Sequence, residues 1–228
     1  MFNPVLFLYE LLLRREVART PIPVNHLLLV IDDTDLLADT GGMERLRSFT
    51  RWCHSLKIPL VSVYISVIQD RLDSSLFERV YAHLKEELPR LLSKEKTSLV
   101  LYADDSEPEA GYAKIIGAGD TEQKLYISLG FTGRRELTKA VQEIAKKVQR
   151  GELEPEAVDE KLIESELIFK SEPDLVIRSG ATRLTDFLIW QSVYTEFYFT
   201  DVNWAQFRKI DLLRAIRDFK MRERRFGR

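Results

Sequence analysis

Two continuous apolar runs, too short for helices and too rich in β-branched residues for loops, constrain this chain more than anything else in it. Leu27-Leu28-Leu29-Val30-Ile31 ends abruptly in Asp32-Asp33-Thr34-Asp35, and Leu60-Val61-Ser62-Val63-Tyr64-Ile65 follows one helix-length segment later. A strand that is apolar on both faces must be covered on both, which is the habit of parallel sheets. Parallel neighbours need a crossover between them, so the segment from Met43 to Ser55 reads as the helix of a βαβ unit.

The same alternation continues along the chain. Leu76 to Leu92 repeats at helical spacing, Ser98 to Tyr102 and Lys124 to Leu129 read as strands, and Gly133 to Gln149 as a helix. The acidic, Gly-containing stretch from Asp104 to Asp120 reads as an irregular connection. Pro155 to Leu167 is expected to be a helix with Pro in its first turn, Leu175-Val176-Ile177 a strand, and Arg208 to Arg224 a basic closing helix. The fold class is therefore α/β: a mostly parallel central sheet flanked by helices. With 228 residues, 45% of them apolar, the chain can bury one sizeable core. Residues 1–228 are read as a single domain, with residues 1–20 as an amino-terminal amphipathic helix. In such sheets ligands sit beyond the carboxyl ends of the strands, which directs attention to Asp32–Asp35, 66–70, 130–134 and Arg178–Arg183.

Charge is balanced, 34 Lys plus Arg against 36 Asp plus Glu, so no chain-wide basic field points to nucleic acid. The single Cys53 excludes an intramolecular disulfide and suits a reducing, cytoplasmic setting, and His26, His54 and His83 make no metal-ligand spacing. The apolar stretch from Phe2 to Leu13 is interrupted by Asn3 and Glu10 and is far short of the roughly 20 residues a membrane span needs. Its apolar face could dock on the protein or lie at a bilayer surface as a peripheral contact; Glu10 and Glu16 dilute the cationic face that the second reading asks for.

Several groups of residues could carry chemistry. Arg178-Ser179-Gly180-Ala181-Thr182-Arg183-Leu184-Thr185 places two guanidiniums, hydroxyls and a Gly turn after a buried strand, suited to a phosphate or diphosphate. Two arginines paired with surface acids would look the same. Asp32, Asp33 and Asp35 could hold Mg2+ for a phosphorylated ligand, or be ordinary loop acids. Glu196 lies in an aromatic run, Tyr194-Thr195-Glu196-Phe197-Tyr198-Phe199, where a carboxylate is paired, metal-bound or aimed outward. From Arg208 to Arg228 nine Lys or Arg residues face three acids, a pattern that fits a solvated helix face or a weak polyanion patch. Cys53 and His54 read as packing and surface residues.

The order and spacing of three segments is more specific than any one of them. Arg178 to Thr185 followed by Phe187-Leu-Ile-Trp-Gln191, then Tyr194-Thr-Glu196-Phe-Tyr-Phe-Thr-Asp201-Val-Asn-Trp204, then Arg222-Glu-Arg-Arg-Phe-Gly227, resembles the carboxyl-terminal third of the cis-prenyltransferases, the family of undecaprenyl and dehydrodolichyl diphosphate synthases. Weaker similarity reaches forward through Gly133-Arg134-Arg135-Glu136-Leu137 to Pro21–Asp32, and Tyr9-Glu10-Leu11 is similar to the amino-terminal helix of archaeal members. The resemblance implies a parallel sheet enclosing an apolar tunnel and a homo- or hetero-dimer. It also implies condensation of isopentenyl diphosphate onto an allylic diphosphate with Mg2+, on the way to a glycosyl carrier lipid. By resemblance Arg178, Arg183, Thr185 and Arg134 bind substrate, Arg225 and Gly227 complete a site across the dimer, Asp32 is catalytic, and Asp32 and Glu196 are the Mg2+ ligands.

The amino-terminal half departs from that pattern. Where the family has Met-Asp-Gly-Asn-x-Arg-Trp-Ala, this chain has Ile31-Asp32-Asp33-Thr34-Asp35-Leu36-Leu37-Ala38, and the following Gly-His segment is replaced by Asp39-Thr40-Gly41-Gly42-Met43. The family's Tyr-Ala-Phe-Ser-x-Glu-Asn stands as Tyr64-Ile-Ser-Val67-Ile-Gln-Asp70. Losing one positioned donor commonly costs about a hundredfold in rate. Here several are lost, and Asp33 and Asp35 add negative charge where a diphosphate should sit.

Two readings follow: a weakly or non-catalytic partner in a heteromeric synthase, or an autonomous homodimeric enzyme with a modified allylic site. A phosphatase-like nucleophile in Asp33-Thr34-Asp35 is the reading from another reaction class, and it meets only the two acids of the required pattern.

Overall fold

The computed structural model describes residues 4–37, 41–66, 74–93, 95, 97–104, 112–116, 123–130, 133–167, 169–180 and 190–222. Helix α1 (Pro4–Arg19) precedes β1 (His26–Asp32), the short helix α2 (Asp33–Leu37), α3 (Gly42–Ser55), β2 (Leu60–Ser66) and α4 (Ser74–Leu92). Then come β3 (Ser98–Asp104), β4 (Tyr112–Ile116), β5 (Lys124–Leu129), α5 (Gly133–Gln149), α6 (Glu160–Glu166), β6 (Leu175–Ser179), β7 (Glu196–Thr200) and α7 (Lys209–Met221). One seven-stranded sheet has the order β4-β3-β5-β2-β1-β6-β7. Six strands run parallel and β4 pairs antiparallel with β3 at one edge.

The apolar runs become the buried strands for the reason their composition gives. Successive side chains of β1 point to opposite faces. Leu27, Leu29 and Ile31 join the main core with Leu46, Phe49 and Cys53 of α3, Leu84 and Leu88 of α4, and Leu213 and Ile216 of α7. Leu28 and Val30 join Tyr64, Phe169 and Val176 on the other face. Both layers are closed, so truncating a residue such as Leu29 costs about 2–5 kcal/mol.

Two expectations need correction. The connection from Asp104 to Asp120 contains strand β4, whose five residues pair with β3 from Val100 to Asp104. The expected helix from Pro155 to Leu167 is broken: Pro155–Ala157 form a single 3-10 turn, Val158 is extended, and α6 starts afresh where the Asp159 carboxylate accepts the Leu162 N–H at 2.8 Å. An Asp cap offers the backbone a better alternative than continuing through Val158.

The basic closing helix is engaged in holding other elements. Lys209 pairs with Glu10, Arg217 with Glu16, and Lys220 donates to the carbonyl oxygens of Val17 and Thr20, all on or just after α1. Arg222 pairs with Glu196 at the start of β7. These contacts make the described part of the segment, 208–222, an internal clamp, which neither a solvated face nor a polyanion patch anticipates. No helix among the described residues is long and apolar enough to cross a membrane.

Candidate active site

The centre of the carboxyl edge of the sheet is set by the pairing of β1 with β6, in which Val30 lies beside Arg178. Two residues farther on, β1 presents Asp32. One guanidinium nitrogen of Arg178, Nη2, donates to both Asp32 oxygens, at 3.0 and 2.9 Å. The Arg178 side chain is 5% exposed, and its Nε and Nη1 are buried with no hydrogen-bond partner among the described residues. Leaving such donors unmet costs about 1–3 kcal/mol each, so a buried guanidinium with one nitrogen satisfied and two unmet is suited to an anion. The sheet thus brings together two expected site residues that lie 146 positions apart.

The acids that follow Asp32 are arranged differently. The chain turns from β1 directly into α2, where the Asp35 carboxylate accepts the Asp32 N–H at 3.0 Å and the Asp33 carboxylate accepts the Thr34 N–H at 2.8 Å. Burial pushes both carboxyls above the ordinary carboxylate range, and the neighbouring Asp32 charge adds to the effect. The Thr34 N–H opposes the shift at Asp33; at Asp35 the Asp32 N–H and Arg178 do so. Two backbone donors of this turn, the Asp32 and Thr34 N–H groups, are thus occupied by the chain's own carboxylates.

This turn is fixed from below. A Cβ at Gly42 would come within 2.5 and 2.6 Å of the carbonyl oxygens of Asp35 and Leu36, so α2 is seated directly on the first turn of α3. The Gly42 carbonyl in turn accepts the indole N–H of the fully buried Trp204 at 3.1 Å. On the β6 side the exit is equally determined. Gly180 has a φ of +69°, a conformation that favours glycine, and a Cβ there would meet Asn203 Oδ1 at 3.0 Å. Its N–H donates to Thr200 O, and Ser179 Oγ donates to Val202 O.

Glu196 is elsewhere. It opens β7 opposite Leu175, and so lies five residues behind Asp32 in the strand direction, roughly 16 Å at the rise of a parallel strand. Within one chain Asp32 and Glu196 cannot bind the same ion. The Glu196 carboxylate accepts from Arg222 Nη1 at 3.0 Å, and the same arginine donates to Asp218 and to Phe197 O. Arg134 is exposed in the first turn of α5, which leaves the carboxyl end of β5 and so shares the sheet edge of Asp32. Arg183, Thr185, Arg225 and Gly227 lie outside the described residues. Among those described, no group of three or more His, Cys, Asp or Glu side chains is placed to hold a metal.

One residue of the Gly133–Leu137 segment has a structural part that the sequence pattern does not assign to it. Glu136 is buried in the first turn of α5 and accepts from the Phe169 N–H and from Gln191 Nε2, both at 3.2 Å, while Gln191 Nε2 also donates to Phe169 O. Its signal is an acid two residues after Arg134 at the start of a strongly amphipathic helix, a place where a carboxylate is either a first-turn acid or a buried tie. Cys53 is fully buried and burial pushes its thiol far up, which leaves it inert.

Known proteins are similar to this chain over most of its length. Residues 33–227 match the family model described as putative undecaprenyl diphosphate synthase. The chain is 31% identical to the tritrans,polycis-undecaprenyl-diphosphate synthase (geranylgeranyl-diphosphate specific) of Methanocaldococcus jannaschii, over 98% of this chain and 89% of that protein. It is 32% identical to an isoprenyl transferase of Thermus thermophilus, over 99% and 97%. The crystal structure of lavandulyl diphosphate synthase from Lavandula x intermedia in complex with dimethylallyl diphosphate superposes with a TM-score of 0.71 at 25% identity, over 90% of this chain and 98% of that one. The chain belongs to the undecaprenyl diphosphate synthase family, the cis-prenyltransferases.

Proposed function

We propose that this chain is the supporting, weakly or non-catalytic subunit of a heteromeric cis-prenyltransferase that makes a long-chain polyprenyl diphosphate from isopentenyl diphosphate and an allylic diphosphate. The observation that carries the reading is the occupation of the Asp32 N–H by the Asp35 carboxylate. Two diphosphates held side by side need donors and cations to offset their repulsion. At the end of β1 the chain offers three carboxylates in four residues, with backbone donors already taken by two of them. At the end of β6 it offers the two unmet nitrogens of Arg178. The isopentenyl half of the site is present and the allylic half is filled from within.

Mg2+ in such a site keeps several waters and uses one or two carboxylates together with substrate phosphates. Asp32 fits that role once its carboxylate shares Arg178 with a diphosphate, and the ion would neutralise a departing pyrophosphate there. Glu196, at the other end of the sheet, fits only a site completed across a subunit boundary, together with Arg225 and Gly227 beyond the neighbouring Arg222. Arg183, Thr185 and Arg134 would complete the isopentenyl diphosphate contacts, and the growing chain would need a dry apolar passage.

The alternative is an autonomous homodimer with a rebuilt allylic site, and the surviving Asp32–Arg178 pair favours it. Labelled isopentenyl diphosphate, an allylic primer and Mg2+ separate the two. The purified chain should show little incorporation alone and restore activity when co-expressed with a complete cis-prenyltransferase from the same genome. Removal of 225–228 should abolish the activity of the pair, and Asp32→Ala here should not. Elongation by this chain alone, lost with Asp32→Ala, would establish the alternative.

A further inference from the structure

Helix α1 is held to the protein along one side. Tyr9, Leu13 and Val17 recur at one-turn spacing, and Leu13 and Val17 are buried in the main core with Leu213 and Ile216 of α7. Polar ties reinforce that side. Glu10 pairs with Arg14 and Lys209, Glu16 with Arg217, and the Arg214 guanidinium lies 5.2 Å from the centre of the Tyr9 ring. Both acids of α1 are therefore engaged by cations, and Glu10 lies on the α7 side.

At 3.6 residues per turn the opposite face carries Pro4, Leu8, Leu11, Leu12, Arg15 and Arg19. Leu8 is 58% exposed and Leu12 48%, Val5 and Phe7 beside them are more exposed still, and Arg15 and Arg19 are exposed. This face is apolar over its first turns and cationic in its last, and it contains no acid. Glu10 and Glu16, which argue against a lipid-facing surface when the sequence is read alone, do not lie on it.

We infer that the exposed face of α1 docks on an anionic lipid surface, its leucines at the acyl boundary and Arg15 and Arg19 at the phosphates. A helix with an apolar side and flanking arginines lies in the interface plane and gains from both terms. A second copy of this chain fits the face less well. A symmetric contact would set Arg15 and Arg19 against apolar turns or against their own counterparts, with no acid to receive them.

The test is flotation of the full chain with vesicles of phosphatidylcholine alone and of phosphatidylcholine mixed with phosphatidylglycerol. Binding is expected on the mixed vesicles only. Leu8→Glu with Leu12→Glu should weaken it at least about tenfold. Arg15→Gln and Arg19→Gln should cost about fivefold each and flatten its salt dependence. These side chains are exposed, so thermal unfolding should be unchanged; a lowered melting temperature in the glutamate variant would mean that the face is packed and would overturn the inference. So would absence of vesicle binding, equal binding to neutral vesicles, or a lipid-free dimer that Leu8→Glu splits. Prenyl transfer has no part in this readout, so it stands or falls separately from the subunit assignment.

Discussion

The two ends of β1 place polar side chains in the same sheet six residues apart and treat them in opposite ways. At the amino end His26 is buried, with Nε2 2.8 Å from Ser62 Oγ and Nδ1 3.0 Å from Ser171 Oγ, so both ring nitrogens are met. At the carboxyl end Asp32 meets only Nη2 of Arg178, and Nε and Nη1 have no partner among the described residues. A buried polar group whose partners are all in place explains itself, whereas one left half-satisfied calls for an explanation, a missing ligand among them. The amino end of β1 is closed on itself, and the carboxyl end has hydrogen-bonding capacity to spare.

The largest effect should come from acidifying the satisfied end. Burial holds His26 down to about 4 from an ordinary 6.5. The unfolded chain therefore takes up a proton below pH 6.5 that the folded chain refuses until about 4, so stability is present above pH 6.5 and lost as pH falls through that window. The loss should approach about 3 kcal/mol. Denaturant unfolding across this window should show the slope in the parent and not in His26→Gln. An unchanged slope in the variant would show that the amino end is not the acid-sensitive one.

Next in size is the open end. Arg178→Met strands the Asp32 carboxylate, and because that side chain is 23% exposed the cost should be about 2 kcal/mol, below that of a fully buried charge. The same variant should lower affinity for isopentenyl diphosphate at least about tenfold by calorimetry. Asp32→Asn releases Arg178 and should leave that affinity intact or raise it. If Arg178→Met binds as the parent does, the unmet nitrogens of Arg178 are not an anion site and the contrast between the two ends fails.

Much of this was legible in the sequence, for physical reasons that also explain what was not. Leu27–Ile31 and Leu60–Ile65 announce buried parallel strands because nothing else accommodates apolar side chains on both faces. Tyr112–Ile116 does not announce itself: five residues among glycines and acids become a strand only because β3 offers an edge. Asp32 and Arg178 were each identifiable, but their contact depends on β1 and β6 being neighbours, which local pattern does not encode. The basic run after Arg208 misleads for the same reason, since Glu10, Glu16 and Glu196, which engage it, lie far away in the chain. Sequence periodicity reports what an element buries; it does not report what the element's charges meet.

The smallest expected effect sharpens the comparison through its sign. Burial raises the Asp33 carboxyl above the ordinary 3.8, helped by the charges of Asp32 and Asp35. A raised carboxyl contributes stability below the unfolded value and loses it as pH rises through the folded one, so ionised Asp33 costs the folded chain at neutral pH. Asp33→Asn keeps an oxygen to accept the Thr34 N–H and removes the charge. It should therefore stabilise the chain at neutral pH, by about 1 kcal/mol at most, the scale of a typical single substitution. The gain should shrink as pH is lowered toward 3.8, where the parent's own carboxyl becomes neutral. The ends of β1 would then respond to acid in opposite directions, the His26 end losing stability and the Asp33 end recovering it. A destabilised Asp33→Asn would mean that the ionised carboxylate makes interactions within the folded chain that outweigh its burial, and the opposite response of the two ends of β1 would fail.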